Sequence, residues 1–206
     1  MNKASLACLL ALAPAVAWAN IIPTGTTITG SGPNYMWSYE LQLAKDSNAS
    51  TGAAPSSNPV PHTNVGQGSF LTLYDFAGYV PGSCASPDGW VCTAQNVGFT
   101  PDDVMPSDDA AIVNLTWAHT TGDVIFGEPI GKNLGQFTAV SIYNKERLVS
   151  YASRAMKNDG FAVDTIADNV GQTRGPMSSV PEPESLGLIG LGLAALVSVR
   201  RRKFLA

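Results

Sequence analysis

Histidine, cysteine and charge are all scarce in this chain, and each scarcity narrows what it can do. The 206 residues include two histidines and three cysteines, and charged residues make up 14% of the total. Nucleophilic catalysis needs a base beside the nucleophile, and no GxSxG, HExxH or glycine-rich phosphate loop is present. We therefore expect the protein not to be an enzyme and to use no cofactor.

The remaining catalytic candidates are isolated side chains. His62 lies in a proline-rich stretch and His119 ends a predicted strand, so both are expected at the surface. Glycoside hydrolysis needs two carboxyl groups about 5 to 9 Å apart. The glutamates Glu40, Glu128 and Glu146 stand far apart in sequence. A secreted hydrolase with acids gathered from separate strands is therefore the third of three hypotheses.

No long amphipathic helix is indicated between residues 20 and 179. Strands are predicted within 24–34 and at 35–43, 69–75, 90–97, 111–119, 135–144, 147–156 and 161–166. Short strands separated by turn residues are typical of an antiparallel β-sandwich or jelly roll. The predicted fold class is therefore all-β, with one hydrophobic helix added at the C-terminus.

Two stretches need separate treatment. Residues 46–68 are rich in Ser, Asn, Ala, Pro and Gly, which predicts a flexible loop within the 20–179 domain. Residues 147–156 have helical propensity, but their place between two predicted strands favours a strand. The following residues 157–160 (KNDG) favour a hairpin, because Asn, Asp and Gly tolerate the positive φ of tight turns.

Residues 1–19 have the features of a secretory signal peptide. Lys3 precedes an apolar stretch at 6–16, and Ala17-Trp18-Ala19 forms a small-x-small site. Cleavage is expected after Ala19. The sequence thus predicts export through the Sec translocon and processing by signal peptidase.

Residues 180–206 combine three parts: a spacer at 180–185, an apolar run at 186–199 and a basic tail at 200–206. The residues that define this order are Pro181, Glu182, Pro183, Arg200, Arg201 and Arg202. A helix of 14 residues spans about 21 Å, which is short of the roughly 30 Å hydrocarbon core. Snorkelling of the arginines closes part of that gap and holds them on the cytoplasmic side. An ordinary single-pass anchor is the alternative.

This order of parts resembles the PEP-CTERM sorting signal of Gram-negative bacteria. The resemblance implies that an exosortase-type enzyme recognises the Pro-Glu-Pro triplet and removes the tail. It also implies an intermediate anchored in the inner membrane, followed by release or attachment at the cell surface. Residues 70–83 and 114–122 look like segments of uncharacterised PEP-CTERM surface proteins, which are usually taken to be β-sandwiches. The implied role is a structural or interaction component of extracellular matrix or biofilm, alongside exopolysaccharide.

The domain between the two terminal signals is acidic. Without Glu182, Glu184 and the five cations near the ends, 14 acidic residues face 7 basic ones, a balance of −7. Nucleic-acid binding needs a basic surface and is not expected. Acidity is compatible with binding of Ca²⁺ or of neutral polysaccharide.

Cys84 and Cys92 form an even pair in an exported chain, which predicts a disulfide. The turn sequence Pro87-Asp88-Gly89 lies between them and can bring the two cysteines together. A pair of metal or redox thiols is the alternative, but the spacing is too wide for CxxC.

Four aspartates lie in the loop TPDDVMPSDD: Asp102, Asp103, Asp108 and Asp109. Carboxylates on one loop can converge on Ca²⁺, which takes six to eight oxygen ligands. The spacing matches no EF-hand, so these residues are weak calcium candidates. The favoured interpretation is a solvated turn in which the carboxylates cap backbone amides.

Aromatic residues support a second functional hypothesis, a carbohydrate-binding module with Ca²⁺ support. The candidates for a sugar-stacking surface are Trp37, Trp90, Trp117, Tyr35, Tyr39, Tyr74 and Tyr79. Because Trp and Tyr supply much of the core of a sandwich, core packing is the favoured interpretation.

Overall fold

The computed structural model describes residues 20–30, 32–53, 68–101, 103–158, 160 and 165–178. The strands in these ranges are β1 (Ile21–Thr29), β2 (Tyr35–Leu43), β3 (Ser47–Ala49), β4 (Phe70–Leu73), β5 (Trp90–Gln95), β6 (Asn114–His119), β7 (Ile125–Phe126), β8 (Lys132–Ser141), β9 (Glu146–Lys157) and β10 (Ile166–Pro176). All pairings between them are antiparallel. The predicted all-β, antiparallel class is confirmed over these residues. No helix within them is long and apolar enough to cross a membrane, and the predicted helix at 186–199 lies outside them.

The strands form two sheets. The smaller has the order β1-β2-β8, and the larger runs β5-β6-β4-β9-β3-β7 with β10 on β9. Strand β4 pairs with residues 151–154 of β9, and β3 pairs with residues 156–157 of β9. Strands β3 and β4 therefore follow one another along the same edge of β9. In the same way β6 pairs with β4 while β7 pairs with β3. The larger sheet is therefore five strand positions wide.

The two sheets pack face to face through large apolar side chains. Tyr39 of β2 and Phe137 of β8 contact Trp117 of β6, with ring centroids 6.0 and 5.9 Å apart. Phe137 also packs edge-on against Trp90 of β5 at 5.2 Å. Fully burying one such side chain stabilises the fold by about 1.5–3 kcal/mol. The domain is thus a β-sandwich with an aromatic centre.

Strand β2 matches the prediction from its alternating pattern. Trp37, Tyr39, Leu41 and Leu43 are buried, while Met36 and Glu40 face solvent. The strand at 147–156 is also confirmed, as β9. It forms a hairpin with β10, but the connection is longer than the tight turn expected at 157–160, because β10 begins only at Ile166.

Several predicted boundaries or segments differ from the structure, including those of β6 and β8, which begin at Asn114 and Lys132 rather than at 111 and 135. The first strand begins at Ile21 rather than Thr24, since Ile21 is buried and pairs with Leu43. Ser47–Ala49 forms β3 within the predicted loop at 46–68, because these small polar residues are buried between β7 and β9. Residues 54–67 of that loop lie outside the described ranges. Residues 161–164 of the strand expected at 161–166 lie outside the described ranges, and its last residue begins β10, Ile166–Pro176. The two-residue strand β7 was not predicted.

Candidate functional site

His119 is buried and not at the surface as predicted. It lies at the end of β6, is 2% exposed, and stacks on Trp90 with ring centroids 5.1 Å apart. Burial lowers the pKa of His119 below 6.5, against the opposing effect of the nearby backbone of Ser50, Ala49 and Thr121. The sequence did not indicate that His119 is buried, because the ring is placed against Trp90 by the pairing of β6 with β5, two strands that are distant in sequence. His62 lies outside the described residues.

The lowered pKa of His119 predicts that acid destabilises the domain. The unfolded state takes up a proton as the pH falls below about 6.5, before the folded state does, so this contribution to stability is full above pH 6.5 and declines below it. Urea unfolding at pH 7 and pH 5 should therefore show a larger loss for the native chain than for His119→Gln. An equal loss in both proteins would contradict the assignment to His119.

The aromatic candidates form the core and not a binding surface. Trp37, Tyr39, Tyr74, Trp90 and Trp117 are buried, with 6% exposure for Trp90 as the largest value. Tyr35 and Tyr79 are partly buried and pack against the same cluster. The favoured interpretation as core residues is confirmed, and these seven residues do not provide a platform for sugar stacking.

The acidic loop folds back onto the ends of the strands. Asp108 accepts hydrogen bonds from the Gly98 amide at 2.8 Å and from the Asn114 side chain at 2.9 Å. Asp109 accepts one from the Ala111 amide at 3.0 Å. The interpretation of these two aspartates as turn caps is confirmed. Asp103 is exposed, Asp102 lies outside the described residues, and no three His, Cys, Asp or Glu side chains among the described residues are grouped to hold a metal ion.

Asp75 anchors this loop and was not recognised from the sequence. Its φ of 54° is left-handed, and its amide donates to the Asn114 side chain at 2.7 Å. Its carboxylate accepts from the Asp109 amide at 2.8 Å, while Arg147 donates to its backbone carbonyl at 3.2 Å. Burial, the largest effect, raises the pKa of Asp75, and the neighbouring Asp108 and Asp109 add to the rise. These bonds account for the loop's conformation without a ligand.

An open cleft lies at the opposite part of the molecule, beside β5, β7 and β8. Its volume is about 540 Å³, within the range of small-molecule sites. It is lined by Asp88, Trp90, Asp123, Phe126, Glu128 and Lys132, among others. Three acidic residues from separate segments thus line the same cleft as Phe126, which is 57% exposed. Of the three glutamates considered as candidate acids for hydrolysis, Glu128 lines the cleft. Glu40 faces solvent on β2, and Glu146 pairs with Arg174.

The predicted disulfide between Cys84 and Cys92 is present, with Cα atoms 6.0 Å apart. It closes the loop that carries Asp88 and Trp90 into the cleft. A loop of this length contributes about 2.5 kcal/mol in the chain-entropy model. The bond therefore holds one wall of the cleft against the sandwich.

The predicted sorting residues and the predicted cleavage site Ala19 lie outside the described residues. The described residues end at 178, two residues after β10. Comparison with family models matches residues 179–203 to the PEP-CTERM protein-sorting motif. The resemblance stated for this segment is confirmed. No curated protein matches the chain.

Proposed function

Because the chain carries a PEP-CTERM protein-sorting motif, we propose that its β-sandwich is a non-catalytic structural or interaction component of extracellular matrix or biofilm. The motif implies export, transient membrane anchoring and exosortase-type processing. It is the observation that carries the proposal, since an exported domain is available to a matrix outside the cell. Sec translocon and signal peptidase act first, at the N-terminal signal, in a Gram-negative cell.

The use of side chains inside the domain supports a non-catalytic role. The carboxylates of Asp108 and Asp109 accept hydrogen bonds from backbone and side-chain amide groups of the same domain. Asp168 is held by a buried arginine at 2.7 and 2.8 Å. Carboxylates committed in this way are poor general acids or nucleophiles, because reaction would break the contacts that hold the fold.

The cleft favours a second function, binding of a neutral glycan. Exposed Phe126 offers a face for a sugar ring, and carboxylates accept hydrogen bonds from hydroxyl groups. The acids of this cleft come from separate segments, which is also the arrangement that the hydrolase hypothesis requires. We rank glycan binding and hydrolysis below the structural role, because the cleft lining includes only two aromatic residues, Trp90 and Phe126, on which a sugar could stack.

Fractionation of extracellular material tests the proposal. We expect most of the exported chain to sediment with exopolysaccharide-containing matrix, and a glycan array with and without EDTA to show no binding. An exported chain found entirely free in the medium would contradict the matrix role. Array binding that is lost in Phe126→Ala but retained in Met36→Ala, an exposed residue of β2 that is 44% exposed, would favour the glycan-binding function instead.

A further inference from the structure

The outer edge of β10 has an uninterrupted geometry. Its 11 residues pair with β9 from Ile166↔Met156 to Pro176↔Glu146 without a register shift. No other strand of the described residues pairs with β10. Among the described residues, the side of β10 away from β9 is therefore an unpaired strand edge with a regular register.

The hydrogen bonds at both ends of the hairpin show which peptide groups face this edge. The Lys157 amide donates to the Thr165 carbonyl, and the Met177 amide donates to the Lys145 carbonyl. Antiparallel partners alternate between hydrogen-bonded and non-hydrogen-bonded pairs, so the odd-numbered residues of β10 bond to β9. The even-numbered residues point their amide and carbonyl groups outward: Ile166, Asp168, Val170, Gln172 and Arg174.

The other sheet edges are covered or interrupted. The outer edge of β8 bonds to the preceding segment, with Ala85 and Thr138 exchanging bonds of 2.8 and 3.0 Å. Strand β1 contains Pro23 and a register shift, and β5 has only six residues. Proteins use such devices to prevent pairing between copies. In β10 the one proline, Pro176, is the last residue, so this edge lacks the protection that the others have.

The side chains of this edge are apolar or internally neutralised. Ile166 and Val170 are 45% and 43% exposed. Asp168 is paired with Arg154, and Arg174 with Glu146. Two such edges can therefore approach without repulsion between uncompensated like charges.

We propose that two copies of this chain pair antiparallel through β10, with the two-fold axis at Val170. In this register Ile166 faces Arg174 of the second copy, Asp168 faces Gln172, and Val170 faces Val170. All five outward peptide groups of both copies are then hydrogen-bonded, and Pro176, which lacks an N–H, falls just beyond the pairing. The two large sheets become one continuous sheet. The proposal deepens the proposed function and rests on it, because pairing gives an exported structural component a specific contact with a second copy.

A single cysteine on the axis tests the register. Opposite residues of a hydrogen-bonded antiparallel pair have Cα atoms about 5.5 Å apart, which a disulfide can span. The full chain with Val170→Cys, made in producing cells, should run as a disulfide-linked dimer on a non-reducing gel. The matched control is Met36→Cys, which is 44% exposed on β2, a strand paired on both sides, and should remain monomeric.

A second pair of variants separates pairing from folding. Val170→Pro removes an outward N–H without breaking a bond to β9, so the fold should persist while dimerisation of the exported chain weakens at least tenfold. Val170→Thr keeps the N–H and should dimerise as the native chain does. Circular dichroism reports folding, and sedimentation velocity reports dimerisation.

Several outcomes would overturn the proposal. These are an exported Val170→Cys chain that stays monomeric, cross-linking of the Met36→Cys control to the same extent, or cross-linking of Val170→Cys to a different protein. A chain that is never exported would instead count against the proposed function. In that case the purified full chain with Val170→Cys would be oxidised, and the disulfide-linked dimer would be measured on a non-reducing gel.

Discussion

Glu182→Ala is expected to leave the C-terminal tail on most of the protein. The acid stands between two prolines, just before the apolar run, within the segment that matches the sorting motif. A recognised carboxylate makes charge-assisted hydrogen bonds worth about 1.5–3 kcal/mol, and 1.4 kcal/mol is tenfold. Removal of the tail should therefore slow by at least about tenfold. Mass spectrometry of membrane and extracellular fractions measures it through peptides that contain Arg200–Arg202.

Glu184→Ala is the matched control, because it removes the same charge two residues further on, outside the Pro-Glu-Pro triplet. Its processing should stay within about twofold of the native chain, well below the tenfold change that one lost contact gives. Equal processing of both variants would show that the triplet acid is not recognised. A native extracellular chain that still carries Arg200–Arg202 would contradict tail removal altogether.

Asp168→Ala is expected to lower the free energy of unfolding by roughly 3–5 kcal/mol, since it removes the carboxylate that accepts two hydrogen bonds from a buried guanidinium. The Asp168 carboxylate accepts two hydrogen bonds from Arg154, at 2.7 and 2.8 Å, across the β9–β10 ladder. Their side chains are only 4% and 7% exposed. The guanidinium also lies over the Phe70 ring, 5.9 Å from its centroid. Urea denaturation of the exported chain measures the loss.

The control is Glu146→Ala in the same hairpin. Glu146 pairs with Arg174, but their side chains are 45% and 61% exposed, so water screens the pair. This variant should show little change in its unfolding midpoint. A loss for Asp168→Ala no larger than that of Glu146→Ala would mean that Arg154 finds other compensation when its partner is removed.

Local sequence patterns were sufficient to predict the features that depend on residues close together in the chain. The strand at Tyr35–Leu43 was predicted with the bounds that the structure gives it, because its side chains largely alternate between apolar and polar as they do across a strand. The Cys84–Cys92 bond followed from spacing and an intervening turn. The turn-capping role of Asp108 and Asp109 could likewise be read from their position in a proline-bearing loop.

The edge strand β10 shows where such patterns fail. Its sequence, IADNVGQTRGP, is polar with two glycines and has no clear alternation. It is a strand because β9 presents eleven consecutive residues for pairing, and main-chain hydrogen bonds need no particular side chain. Few of the side chains that would have signalled a strand are present, because one face of β10 is largely exposed and needs no apolar residues.

The amino-acid sequence alone determined that this chain is β-rich, carries a disulfide and ends in a sorting motif, since each of these depends on residues close together in the chain. The tertiary structure decided that His119 is buried, that Asp88, Asp123 and Glu128 share a cleft, and that β10 ends the larger sheet as an open edge. Those properties arise from strands paired across long sequence separations. The free energy of strand pairing depends on partner strands that are distant in sequence, so the residues of one segment do not indicate which strands will pair.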